Sequence, residues 1–169
     1  DEATLQEAET LATYVNASKL AQCPLEGVCD FAHYKAIHKF LFSDLYDWAG
    51  QTRTVNFSKK GTDFCPAEKI ESQAKLIFNR LQEQNYFKGL PHDAFVEEIT
   101  DFYCSTNYLH PFREGNGRTQ RAFLTQLIRN AGHDLNWSEV DGDLLMIATI
   151  QATQGVTDLL RQALGEAIR

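Results

Sequence analysis

Between residues 92 and 130, two helical apolar stripes are separated by a segment that cannot itself be helix. Phe95, Ile99, Phe102, Thr106 and Leu109 recur at three- and four-residue spacing, which predicts a helix over about 92–109. Ala122, Phe123, Leu127 and Ile128 predict a second, from near Arg118 to Asn130, closed by Gly132. Residues 110–117 hold His110, Pro111, Gly115 and Gly117. Proline lacks an amide donor and glycine favours turns, so the chain must leave the helical path there.

The rest of the chain also reads mainly as helix. Residues 3–14 form an acidic first helix. Asp30 can cap a second, with a stripe of Tyr34, Ile37, Leu41, Leu45 and Trp48 that Gly50 ends. Residues 51–57, QTRTVNF, alternate as a short strand does. Ser58 to Gly61 reads as a turn, with Lys59 and Lys60 at a solvated tip, and Thr62 to Cys65 as the return strand. Arg53 beside this hairpin reads as structural or solvated. Pro66 suits the first turn of a third helix, whose stripe is Ile70, Ala74, Ile77 or Phe78, and Leu81. Gly89-Leu90-Pro91 breaks the chain. Ser138 and Asp141 offer caps for a helical tail that breaks near Gly155. The fold class is therefore all-α, mainly helical, with one short β-hairpin. One domain over residues 1–169 is the natural count.

Composition bounds the function. Lys and Arg number 16 against 23 Asp and Glu, a net charge of −7. That balance argues against sequence-independent contact with nucleic acid or an anionic membrane. No apolar run approaches the ~18 residues of a membrane span. The N-terminal DEATLQEAET does not resemble a signal peptide. Cys23, Cys29, Cys65 and Cys104 form no CxxC pair, so neither a disulfide framework nor a zinc site is expected. Together these features predict a cytoplasmic protein. His38 lies near the apolar stripe and reads as a packed core histidine; His92 and His133 sit in breaks and read as exposed.

The segment HPFREGNGRTQR, residues 110–121, concentrates the chemistry, with arginines at 113, 118 and 121. Gly115-Asn116-Gly117 lets successive N–H groups form an anion nest at a helix start, where unsatisfied donors add partial positive charge. Arg118 and Arg121 share one helix face, and paired guanidinium groups suit phosphate. Glu114 adds a carboxylate; Mg²⁺ often takes one or two of these together with phosphate oxygens. His110 can take a proton from a hydroxyl near neutral pH. Phe112 reads as a core anchor. Residue types alone leave a second reading open, an ordinary interhelical loop with solvated arginines and a capping histidine.

HPFREGNGRTQR resembles the signature of the Fic family, HxFx(D/E)GNGRxxR, with every defining position filled. IHKFLFSDLYDWAGQTR, residues 37–53, is similar to that family's N-terminal conserved stretch. The hairpin at about 51–65 falls where the family places a target-docking flap. The resemblance covers about residues 30–135, with helices over about 138–168 following. It implies a bacterial protein that transfers AMP from ATP to a Ser, Thr or Tyr hydroxyl of a protein. On that basis His110 is the general base and Glu114 holds Mg²⁺. Gly115, Asn116 and Gly117 form the anion hole, and Arg118 and Arg121 hold the β- and γ-phosphates. Val55, Asn56, Phe57, Thr62, Asp63 and Phe64 form the docking flap.

Ser105 stands where family members often carry Glu, while Asn107 matches the family's usual Asn. The family's inhibitory (S/T)xxxE(G/N) motif is absent, since no Glu here has Ser or Thr four residues before it. That points to a brake supplied by a separate small antitoxin-like protein or by a segment outside this chain. Among family targets, type II topoisomerase subunits fit a short toxin-like member better than small GTPases. Two other readings stand beside this one. A Fic-type transferase could move phosphate or another nucleotide, although the intact Gly117 favours AMP. A non-catalytic module could use the hairpin to bind a partner, against which the intact His110, Glu114 and Arg121 argue.

Overall fold

The computed structural model describes residues 1–59 and 61–169; Lys60, assigned above to the hairpin tip, lies outside the described residues. Among the described residues are α1 (Glu2–Gln22), α2 (Phe31–Phe42), α3 (Ile70–Glu83), α4 (His92–Leu109), α5 (Asn116–Asn130), α6 (Gly142–Thr153) and α7 (Asp158–Ala167). A two-stranded antiparallel hairpin pairs β1 (Ser58–Lys59) with β2 (Thr62–Asp63), Ser58 opposite Asp63 and Lys59 opposite Thr62. The mainly helical fold with one short hairpin is as the sequence predicts.

α2, α4 and α5 surround the centre of the core. Phe95, Phe112 and Phe123 are fully enclosed, and Tyr34 is buried among them. Tyr34 lies 5.1 Å from Phe123 and 6.0 Å from Phe112, ring centroid to centroid. Phe78 of α3 meets Phe123 edge-on at 5.7 Å. Each such ring contributes roughly 1.5–3 kcal/mol by leaving water. α6 and α7 pack on each other and α7 on α4, which places α6 beside the C-terminal half of α4.

Caps set several boundaries. The Asp30 carboxylate accepts from the His33 N–H at 2.8 Å and starts α2. Asp141 accepts from the Asp143 and Leu144 N–H groups and starts α6. Each satisfies donors that a helix leaves orphaned at its N-terminus. Ser138 does not cap α6; its own N–H and hydroxyl are taken by the Asn136 side chain.

Three boundaries differ from the sequence reading. α1 continues beyond residue 14 to Gln22, because Thr13, Asn16 and Leu20 are buried and the Asn16 amide donates to the Leu41 carbonyl. α2 stops at Phe42 rather than near Gly50. The Leu45 and Tyr46 N–H groups both turn back to the Phe42 carbonyl, and Ser43 and Asp44 favour such turns over helix. Leu45 still packs on the core, but from a turn. Residues 51–57 form no strand: the Arg53 N–H donates to the Pro111 carbonyl at 2.9 Å, which takes that stretch out of any ladder.

Candidate active site

Residues 110–115 link α4 to α5, and their path is set from both ends. His110 closes α4 in the left-handed conformation, φ 41° and ψ 59°, with its N–H on the Thr106 carbonyl. Gly115 precedes α5 with φ 79°, and a Cβ there would lie 2.3 Å from the Phe42 ring, so glycine is required twice over. The Asn116 side chain clamps the turn. Its Oδ1 accepts from the Phe112 N–H at 2.9 Å and its Nδ2 donates to the Phe112 carbonyl at 2.7 Å. The Thr119 N–H makes the first helical bond, to the Gly115 carbonyl. The N–H groups of Asn116, Gly117 and Arg118 precede it and lack intrahelical acceptors, as at any helix start.

His38 supports this turn from beneath. Its ring stacks on Phe112 at 3.8 Å and is fully buried. The Gly50 N–H donates to its Nδ1, so the proton of the neutral ring sits on Nε2, which donates to the Glu114 carbonyl at 2.9 Å. The sequence reading of a packed core histidine holds; its grip on the turn is new.

His110 faces a cavity of about 550 Å³, a size suited to a nucleotide. Gly117, Gln120 and Arg121 of α5, Tyr103 and Asn107 of α4, and the hairpin's Phe64 share its lining. The Phe64 ring stacks on the imidazole at 3.9 Å, and Phe57 meets it edge-on at 6.4 Å. The imidazole Nδ1 is enclosed without a partner of good hydrogen-bond geometry. Burial, with help from the Arg53 and Lys59 charges, lowers the His110 pKa to about 4, against a weak upward pull from the Asn107 backbone. The ring is therefore neutral near pH 7.

Arg121 is half-buried and its pKa is lowered, first by burial and also by Arg118. Among the described residues neither Arg118 nor Arg121 has a carboxylate within 4.0 Å. Two cations beside a helix start are an arrangement suited to an anion. Glu114 is exposed at its edge, and among the described residues no cluster of three or more His, Cys, Asp or Glu gathers elsewhere. One carboxylate beside an anion site is a donor set that fits Mg²⁺ shared with phosphate.

The other flap residues separate. Val55 is exposed, whereas Asn56 accepts from the Ala67 N–H at 2.8 Å. Thr62 touches Thr153 of α6 through their hydroxyls at 3.3 Å, and Asp63 is exposed. The far wall of the cavity was not foreseen. Val140, Leu145, Met146 and Ile150 supply an apolar face, joined by Trp137, whose Nε1 is held by the Arg121 carbonyl and Thr125 hydroxyl. A signal existed in LLMI, residues 144–147, which is apolar on more sides than one core stripe needs; Met146 and Ile147 remain about half exposed.

His38 and His110 couple the fold to pH. Burial lowers His38, like His110, to about 4, below its ordinary 6.5. Between those values the unfolded chain binds more protons than the folded one, so stability rises with pH there. From these two groups the urea midpoint is expected to fall as the pH drops from about 6.5 towards 4. His38→Gln should flatten part of that fall; an unchanged slope would count against the neutral, buried ring.

The mainly helical fold thus brings the hairpin, His110 and Arg121 around one cavity of nucleotide size. The Fic/DOC family matches residues 28–128, and the chain belongs to that family. Among its relatives, protein adenylyltransferase VbhT of Bartonella schoenbuchensis is 38% identical over 160 residues, covering 95% of this chain and 34% of that protein. The chain thus spans about a third of VbhT. The probable protein adenylyltransferase Fic of Salmonella typhimurium is 36% identical over 97% of this chain and 81% of its own length. The BepC protein of Bartonella tribocorum, solved with bound AMPPNP, superposes with a TM-score of 0.90 at 26% identity, covering all of this chain and 88% of that one.

Proposed function

We propose that the chain transfers AMP from ATP to a hydroxyl of a target protein, with release of pyrophosphate. The observation that carries this is the shared cavity: neutral His110 lines it together with Gly117 and Arg121, beside the free N–H groups that start α5. The names of VbhT and the Salmonella relative, and the AMPPNP in BepC, support the same reading.

In this mechanism the His110 Nε2 takes the proton from the target hydroxyl, because Nδ1 is enclosed. The hydroxyl oxygen forms a bond to the α-phosphorus. The bond from that phosphorus to the bridging oxygen breaks, and pyrophosphate leaves. Gly115, Asn116 and Gly117 present N–H groups to the phosphates, and Arg118 and Arg121 neutralise the charge that develops on the leaving group. Glu114 would hold Mg²⁺, which would supply further charge neutralisation at the phosphates. The apolar wall of α6 receives the nucleobase. The hairpin holds the target segment by strand addition, with Phe57 and Phe64 closest to His110.

The finer assignments rest on the family resemblance. A separate inhibitory, antitoxin-like protein would find a groove of about 260 Å³ between α1 and α5, lined by Leu20, Pro24, Ile37, Arg118, Arg121 and Arg129. Arg121 lines both this groove and the cavity, so an acidic helix seated there could occupy the γ-phosphate's cation. Type II topoisomerase subunits are the candidate target.

Incubation with a bacterial lysate and α-labelled ATP is expected to label a protein band, and γ-labelled ATP to leave it dark. Labelling from the γ position would instead establish phosphate transfer. No labelling from either, with ATP binding intact, would favour the non-catalytic module.

A further inference from the structure

Arg53 is the most deeply buried cation of the described chain, 2% exposed, yet it has no carboxylate within 4.0 Å among the described residues. Among the described residues its guanidinium is held by backbone carbonyls. Nε donates to His110 at 2.7 Å, Nη1 to Val55 at 2.8 Å, and Nη2 to Cys65 at 2.6 Å and Leu109 at 3.3 Å. The Phe57 ring covers it at 5.5 Å.

These acceptors belong to two parts of the site. Leu109 and His110 are the end of α4, where carbonyls without helical partners carry partial negative charge. Val55 and Cys65 lie on the two arms of the hairpin, just outside its paired residues. One planar fork therefore bolts both arms of the hairpin to the helix end that carries the histidine. The Arg53 N–H extends the joint to Pro111 at 2.9 Å. A lysine, with a single ammonium, cannot span carbonyls spread in this way.

We propose that Arg53 is a positioning residue for His110: it holds the His110 backbone in its left-handed turn and sets the hairpin so that Phe64 stacks on the imidazole. The inference deepens the adenylyl-transfer reading and rests on His110 as its base. The same arrangement brings a fixed positive charge next to the ring, which favours its neutral, proton-accepting form. Among the described residues, Lys59 of the hairpin and Arg121 of α5 are the charged groups that line the cavity with His110. From α6 the cavity takes Leu145, Met146, Thr149, Ile150 and Thr153, none of them charged. α4 adds Tyr103 and Asn107. Arg53 is distinguished from Lys59 and Arg121 by its bond to the histidine's own carbonyl.

The test compares the full chain with Arg53→Gln and Arg53→Lys, using nuclear magnetic resonance titration of ¹⁵N-labelled histidine alongside transfer rates. The Gln variant removes charge and fork together. Its His110 should titrate closer to the ordinary 6.5, and the rate at saturating ATP should fall roughly 10²-fold, with the KM for ATP little changed. The Lys variant keeps a charge and loses the fork: the rate should fall, while the His110 titration moves less than in Gln. It also provides the reading if the Gln variant does not fold. Variants that unfold more easily but keep the parent His110 titration and saturating rate overturn the proposal and leave Arg53 a mere clamp. The base assignment is tested separately. If His110→Ala still transfers AMP while the His110 titration responds to Arg53, that assignment fails and the positioning geometry stands.

Discussion

Replacement of His110 by Ala is expected to lower AMP transfer by about 10²–10⁴-fold at neutral pH, the usual worth of a positioned general base. ATP binding should survive, because the N–H groups at the start of α5 and the Arg118 and Arg121 side chains are untouched. The ring is already neutral in the folded chain, so no proton has to be removed before it acts. A triphosphate held beside the ring would bring negative charge to it and raise its basicity towards the working pH. The measurement is incorporation of label from α-labelled ATP, with nucleotide binding followed through Trp137, which lines the cavity. Equal labelling by native and variant chains would remove His110 from the mechanism.

The second large effect is on stability. Phe112→Ala is expected to cost about 3–5 kcal/mol, as truncation of a fully enclosed aromatic usually does. Against a typical total of about 5–15 kcal/mol, that is a large share of the fold. Phe112 stacks on His38 at 3.8 Å and lies nearly parallel to Tyr34 at 6.0 Å. Both of its backbone polar groups are held by the Asn116 side chain. Removing the ring therefore leaves a void under the turn that carries the anion site. Urea unfolding should show a lower midpoint at unchanged slope. In variants that remain folded, the KM for ATP should rise more than the saturating rate falls. Phe112→Leu should lose less of both, because it refills much of the space.

α4 was legible in the sequence, from the Gly89-Leu90-Pro91 break to His110, because every turn of it buries a residue against the core. The stripe of α3 was legible for the same reason. α2 misled: its apolar spacing continues through Leu45 and Trp48, but the backbone had already turned at Ser43. A turn that keeps packing on the core preserves helical spacing without helix. The 51–57 stretch alternates like a strand, yet the Arg53 N–H is spent on Pro111 and its guanidinium partly on the end of α4. Two parts of the cavity were also hidden. The α6 wall comes from a helix distant in sequence, and the Phe64 stack from a hairpin known to be nearby but not how near.

By itself the sequence determined the helical class, the single hairpin, and the family signature from His110 to Arg121, because periodicity and backbone chemistry are local. It could also say that the turn between α4 and α5 was suited to an anion. Tertiary structure decided what surrounds that turn. It buried His110 enough to hold the ring neutral, set His38 beneath Phe112, and brought α6 across the cavity. It also turned Arg53 into the joint between helix end and hairpin. Burial and hydrogen-bond partners depend on residues far apart in the chain. The acceptors of Arg53 run from Val55 to His110, and no local pattern foretells that they meet.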